Sequence, residues 1–189
     1  MPRGIARNHD EKRDTLRKGA AAYFARHGFD RASMSGAARE IGISKALIYH
    51  YHDSKEALLF DILDTHLTEL VAVVETAAPK GLRALIAAIL DAYEDADAEH
   101  KLQLESLTAL PEDMQAPLLA AQRYLVEAMS TAIDAVKPGM DQDKLRAATM
   151  TVYGILNWFY MWHRPGKGLS RQDYAALAAD FVEGGLRQI

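Results

Sequence analysis

Two short apolar stretches, each opened by a serine and divided by a single glycine, occupy SMSGAAREIGISKALIYHY from Ser33 to Tyr51. Few folds accept that punctuation. A serine before a helical stretch acts as an N-cap, its hydroxyl accepting from an N–H of the first turn. Ser33 and Ser44 stand in that position. Gly42 stands where a chain leaves a helix through left-handed backbone. Two short helices that cross steeply need a small residue at the crossing and apolar residues around the turn. Ala38 and Gly42 meet the first need, and Ala37, Ile41, Ile43 and Ile48 the second. The segment predicts a helix-turn-helix.

The remainder also reads as helix, because apolar residues recur at spacings of three and four and no stretch alternates in the manner of a strand. A first helix is predicted from about Asp10 to His27, with Leu16, Ala20, Tyr23 and Phe24 as its stripe and Gly28 as its stop. After the two short helices, Asp53 or Ser54 caps a long one over Lys55–Ala77. Further helices are predicted over Leu82–Asp95, His100–Ala109, Pro117–Val136, Gln142–His163 (ended by Pro165 and Gly166) and Arg171–Arg187. The expectation is an all-α chain of about nine helices. Residues 1–54 form a three-helix head, and residues 55–189 form a helical body.

Charge separates the same two parts. Through Lys55 the chain carries 11 lysines and arginines against 6 acidic residues, and beyond it 11 against 20. A basic head on an acidic body suits a head that meets a polyanion. Cysteine is absent, which excludes disulfides, thiolate metal sites and cysteine nucleophiles. The N-terminus, MPRGIARNHDEKRD, has no apolar h-region, and no apolar run approaches a bilayer span. The expected location is cytoplasmic, with no membrane partner.

Side chains of the second short helix that its core does not need are Lys45, Ala46, Tyr49 and His50. A helix of this kind enters the major groove of duplex DNA. Lys45 suits a guanine acceptor or a phosphate, and Ala46 a thymine methyl. Tyr49 and His50 suit phosphates or base edges. Ser33, Ser44 and Lys55, at helix starts beside the reading helix, suit phosphates. Arg3 and Arg7 of the N-terminal arm could follow a minor groove.

The stretch GFDRASMSGAAREIGISKALIYHYHDSKEALL resembles the signature of TetR-family transcriptional regulators. It has the Gly-aromatic end of the first helix, the helix-turn-helix, and the exit Tyr49, Tyr51, Lys55, Glu56, Leu58. His52 departs from that signature, which usually has phenylalanine there. The resemblance implies an all-helical homodimer, a palindromic double-stranded operator and a body that senses a small molecule.

In the body, Tyr153, Trp158, Phe159, Tyr160 and Trp162 crowd three turns of the eighth predicted helix. Tyr174, Leu177, Ala178 and Phe181 mark one stripe of the last. Two such helices from each of two copies would make a four-helix seam. Leu67, Tyr93, Leu107, Tyr124, Asn157, Met161 and Arg164 are the candidate effector contacts, with core packing, an interhelical hydrogen bond for Asn157 and helix-end complementarity for Arg164 as the structural alternatives. The run from Asn157 through Pro165 also resembles TetR regulators that sense acyl-CoA thioesters, which implies Arg164 or Lys167 against a coenzyme phosphate. No catalytic motif is present, and His100 has no second histidine four residues away to make a metal pair. Neither an enzyme, a cofactor nor a metal is expected. The reading from the residues is a ligand-responsive DNA-binding repressor. Its rival is a helical interaction module without specific DNA binding.

Overall fold

The structure is a computed structural model that describes the backbone of residues 3–164 and 166–189, with side chains described from residue 12 onward. Arg3 and Arg7 of the arm, as side chains, and Pro165 lie outside the described residues. Those residues form nine helices longer than one turn, a single helical turn at Phe159–Trp162, and 3₁₀ turns at Ala78–Lys80 and Leu107–Ala109. Their only β feature is an isolated bridge between Arg164 and Lys167. The chain divides into two compact units, Met1–Leu67 with Ala96–Leu118, and Thr68–Asp95 with Leu119–Ile189.

The first unit contains α1 (Arg3–His27), α2 (Met34–Ile41), α3 (Lys45–Tyr51), the start of α4 (Lys55–Ala77) and α6 (Asp97–Ser106). The caps are those the sequence announces. Ser33 Oγ accepts from Gly36 N at 3.1 Å, and Ser44 Oγ from Leu47 N at 3.1 Å. Gly42 turns α2 off at φ 81°, returning its N–H to Ala38 and Arg39 carbonyls. Ser54, rather than Asp53, caps α4 through Ala57 N at 3.0 Å. Leu16, Ala20 and Phe24 of α1 are buried, as are Ala37, Ile48, Leu58, Leu59 and Ile62. Phe24 meets Phe29 edge to face with centroids 5.5 Å apart. Helix α6 lies on α1, and Lys101 Nζ donates to Ala25 O at 2.9 Å, satisfying a carbonyl near the end of α1.

The second unit contains α5 (Leu82–Ala92), most of α7 (Glu112–Val136), α8 (Gln142–Asn157), α9 (Phe159–Trp162) and α10 (Arg171–Leu186). Helices α5 and α10 meet through small residues, with Ala175, Ala178 and Ala179 buried. Arg83 of α5 bridges Asp180 and Glu183 of α10 at 2.6 and 2.9 Å. Tyr153 donates to Leu125 O at 2.8 Å, and Tyr93 to Asn157 Oδ1 at 3.0 Å.

Several boundaries differ from expectation. Helix α1 begins at Arg3 rather than near Asp10. Helix α5 stops at Ala92, and Asp95 takes left-handed backbone at φ 59° just before α6. Helix α6 starts at Asp97, where two acidic residues suit the positive helix end, and Leu107–Ala109 is a 3₁₀ turn. Helix α7 starts at Glu112 and runs through Pro117. At the sixth position of a helix a proline forfeits one backbone hydrogen bond, and the acidic first turn favours the earlier start. The predicted eighth helix is two pieces, because its hydrogen bonding breaks at Trp158 before the single turn of α9.

Candidate functional site

The reading helix α3 shows two sides. Ile48 is completely buried and Leu47 half-buried, while Ser44, Lys45, Ala46, Tyr49 and His50 are exposed. Lys45 Nζ sits 5.7 Å from the Tyr49 ring centroid, one turn along, and a cation over an aromatic face is held loosely in place. The His50 ring meets Tyr51 edge-on at 5.5 Å. The structure thus gathers a cation, a methyl, a phenol and an imidazole on one exposed helical face. These are groups that hydrogen-bond phosphates and base edges or touch a thymine methyl.

Ser33 and Ser44 are exposed residues whose hydroxyls already accept from their own helices. Each hydroxyl hydrogen remains available to an acceptor. Lys55 has different surroundings. It is half-buried, and its ammonium donates to the carbonyls of Phe29, Ala32 and Asp30 at 2.9, 3.3 and 3.5 Å while lying 4.3 Å from the Phe29 ring centroid. Its charge satisfies the loop that leads into α2.

Two features escaped the sequence reading. Gly36 has no room for a side chain, since a Cβ there would lie 2.0 Å from the Tyr23 hydroxyl of α1. The close approach of α1 and α2 therefore depends on Gly36. The second is the setting of His52. Its ring is buried, and its Nε2 lies 3.0 Å from Asp61 Oδ2 of α4. Asp61 Oδ1 in turn accepts from Arg13 of α1 at 2.6 Å, and Arg17 lies 4.0 Å away. Burial pushes the Asp61 carboxyl upward, but the His52 hydrogen bond and the Arg13 charge outweigh it and hold it below the usual carboxylate range. These partners are far apart in sequence, so no local pattern announces them.

The effector candidates are distributed over both units. Leu67 and Leu107 are buried in the first. In the second, Tyr93 and Asn157 come together through their hydrogen bond, and burial drives the Tyr93 hydroxyl well above its ordinary value. Tyr124 is exposed and lines a cleft of about 490 Å³ with Glu75, Pro79, Glu127 and Thr131. Met161 is exposed, and Arg164 donates to the His163 and Met161 carbonyls at 2.9 and 3.4 Å. Among the described residues no cluster of three or more acidic or histidine side chains could hold a metal, and no helix is long and apolar enough to cross a membrane.

Helices α8 and α10 share an apolar trough of about 390 Å³ lined by Ala147, Ala148, Thr151, Ile155, Phe181, Gly185 and Ile189. Phe181 is 74% and Leu177 53% exposed. The expected α10 stripe is divided, since Ala178 is buried while Leu177 and Phe181 face solvent. The aromatics around α9 divide as well. Phe159 is buried, stacked on His163 and Tyr174 at 4.3 and 4.7 Å, whereas Trp158 and Trp162 remain exposed.

Residues 16–62 match the family described as bacterial regulatory proteins, tetR family, and residues 76–186 match the tetracyclin repressor-like C-terminal domain. The HTH-type transcriptional activator FasR of Mycolicibacterium smegmatis is 25% identical over 99% of this chain and 88% of its own length. A TetR-family transcriptional regulator from Bordetella parapertussis superposes with a TM-score of 0.85 at 31% identity, covering 90% of this chain and 93% of that one. AibR, solved with isovaleryl coenzyme A and operator DNA, shares the fold with a TM-score of 0.73 at 18% identity, covering 89% of this chain and 96% of its own.

Proposed function

This chain belongs to the TetR family of bacterial regulatory proteins, and we propose that it is a homodimeric repressor whose grip on a palindromic operator is released by a small apolar or acyl-CoA effector. The observation that carries the DNA-reading part is the exposed face of α3, where Lys45, Ala46, Tyr49 and His50 surround a helix anchored by buried Ile48. Ser33 and Ser44 add hydroxyls for phosphates at the starts of α2 and α3. Lys55 supports the reader by ordering the 28–32 loop. Residues 1–54 form the reading head in this assignment, residues 55–189 the sensing and dimerising part, and the cytoplasm is the compartment where such a protein meets its DNA. A regulator of this kind catalyses nothing and carries no resident cofactor or metal.

The dimer is supported by the α8–α10 face. A solvent-facing Phe181 and Leu177 beside an apolar trough suit the self-complementary contact of a two-fold pair. Such a pair spaces two reading helices roughly 34–36 Å apart, one DNA turn. Repression follows from occupying promoter DNA. The effector must bind better to the form that misfits the operator, otherwise it shifts nothing. Helix α4 carries Asp61 against His52 and Arg13 of the head and continues to Ala77, so its displacement is the proposed route. Leu67, Tyr93, Leu107, Tyr124, Asn157 and Met161 are the proposed effector contacts. The acyl-CoA class is suggested by AibR, whose structure holds isovaleryl coenzyme A, and by Arg164, an exposed cation suited to a coenzyme phosphate.

The test is a gel-shift titration on the promoter DNA beside the protein's own gene, with a panel of acyl-CoA thioesters. Release by one thioester supports the full assignment. Tight, salt-dependent binding released by none keeps the regulator and removes the acyl-CoA class.

A further inference from the structure

The reading helix is held at three points, and one of them is a hydrogen bond to a carboxylate on α4. Helix α3 has seven residues, too few to be stable by itself. Its N-terminus is fixed by Ser44 and its middle by buried Ile48. Its C-terminus ends at His52, whose backbone N–H returns to Ile48 O at 3.0 Å. The His52 ring then leaves the helix and points its Nε2 at Asp61 of α4. Its Nδ1 is buried and makes no hydrogen bond among the described residues, so Asp61 is the polar anchor of the ring. The Asp61 carboxylate has its other oxygen on Arg13 of α1, and Arg17 approaches the same carboxylate while also bonding Asp14 at 2.7 Å. One side chain thus joins the end of the reading helix to the two helices that frame it.

We infer that Asp61 is a positioning residue for DNA reading, setting the angle of α3 through His52 against Arg13, without itself touching DNA. The inference rests on the DNA-reading role of α3 proposed above. Charge-assisted hydrogen bonds are the strong and directional ones. Bonds to bases demand accurate placement, whereas attraction to phosphates tolerates a tilted helix. Loosening the Asp61 pair should therefore degrade sequence discrimination more than general affinity.

The wild-type protein is first used to select a duplex from a randomised library. Affinities for that duplex and for a scrambled one are then measured for wild type, Asp61→Asn, His52→Phe and the double variant, at a temperature where circular dichroism shows each folded. The expected result is a loss of about ten-fold or more on the selected duplex, with scrambled-duplex affinity unchanged within about two-fold. The slope of log K against log salt should be unchanged, since no phosphate contact is lost. The double variant should be no worse than the poorer single one, because both break the same pair. His52→Phe reads the pair from its other end with an apolar ring that fills the site, and serves alone if Asp61→Asn does not fold. Retained discrimination in the folded variants, or fully additive losses, would overturn the inference. A wild type that enriches no sequence would instead count against the DNA-reading role itself.

Discussion

His66 makes the stability of this protein sensitive to acid over a defined window. The ring lies on α4, is 6% exposed, and faces the buried His100 ring of α6 with centroids 6.1 Å apart. Burial lowers its pKa from 6.5 to about 4, against a smaller upward pull from Gln103. Above pH 6.5 the ring is neutral in folded and unfolded chains alike, and the difference contributes nothing. As the pH falls toward 4, the unfolded chain takes up a proton that the folded chain refuses, so stability is lost across that window. At 1.36 kcal/mol per pH unit the full effect is about 3 kcal/mol, and below pH 4 it stops growing. Urea unfolding of wild type and His66→Leu at pH 7.5, 6.5, 5.5 and 4.5, at one protein concentration, isolates the group from the carboxylates that titrate in both. The leucine variant should gain on wild type by about 2–3 kcal/mol between pH 7.5 and 4.5, an urea-midpoint change of about 1–2 M. A difference between the two proteins that stays constant with pH would refute the assignment of a buried, neutral His66.

Three other perturbations have defined outcomes. Gly36→Ala drives a methyl to 2.0 Å from the Tyr23 hydroxyl and should destabilise by about 1–3 kcal/mol in urea unfolding, with partial recovery when Tyr23→Leu is added. Lys55→Met removes the donor to three loop carbonyls and should lower stability by about 1–3 kcal/mol. The same variant should leave the salt slope of DNA binding unchanged, whereas a lost phosphate contact would reduce it by about one. Phe181→Asp places a charge on the exposed α8–α10 face and should shift the dimer toward monomer in sedimentation equilibrium by at least about 30-fold in dissociation constant. An unchanged dimer would move the interface elsewhere.

The head was legible in the sequence because its determinants are local. Ser33, Gly42 and Ser44 act on neighbours within three or four residues, and the structure uses each of them as a cap. What was missed there is non-local. Gly36 is obliged by Tyr23, thirteen positions back, and His52 finds Asp61 and through it Arg13. Lys55 was expected at a phosphate because it begins a helix beside the reader; no local pattern announced that its ammonium also bonds the loop before α2, twenty-six positions back at Phe29. In the body, apolar periodicity located helices without deciding which side faces inward. Leu177 and Ala178 are adjacent in sequence and differ completely in exposure, because α5 packs on only one side of α10. The break at Trp158 carried no proline or glycine to announce it.

The most direct test of DNA reading by α3 is the affinity of wild type and of Lys45→Ala with Tyr49→Ala for a wild-type-selected duplex, measured across a range of salt. The expected result is tight, steeply salt-dependent binding by the wild type, and loss of about 100-fold or more with a shallower salt slope in the variant. Equal binding by the two proteins, both folded, would contradict the account.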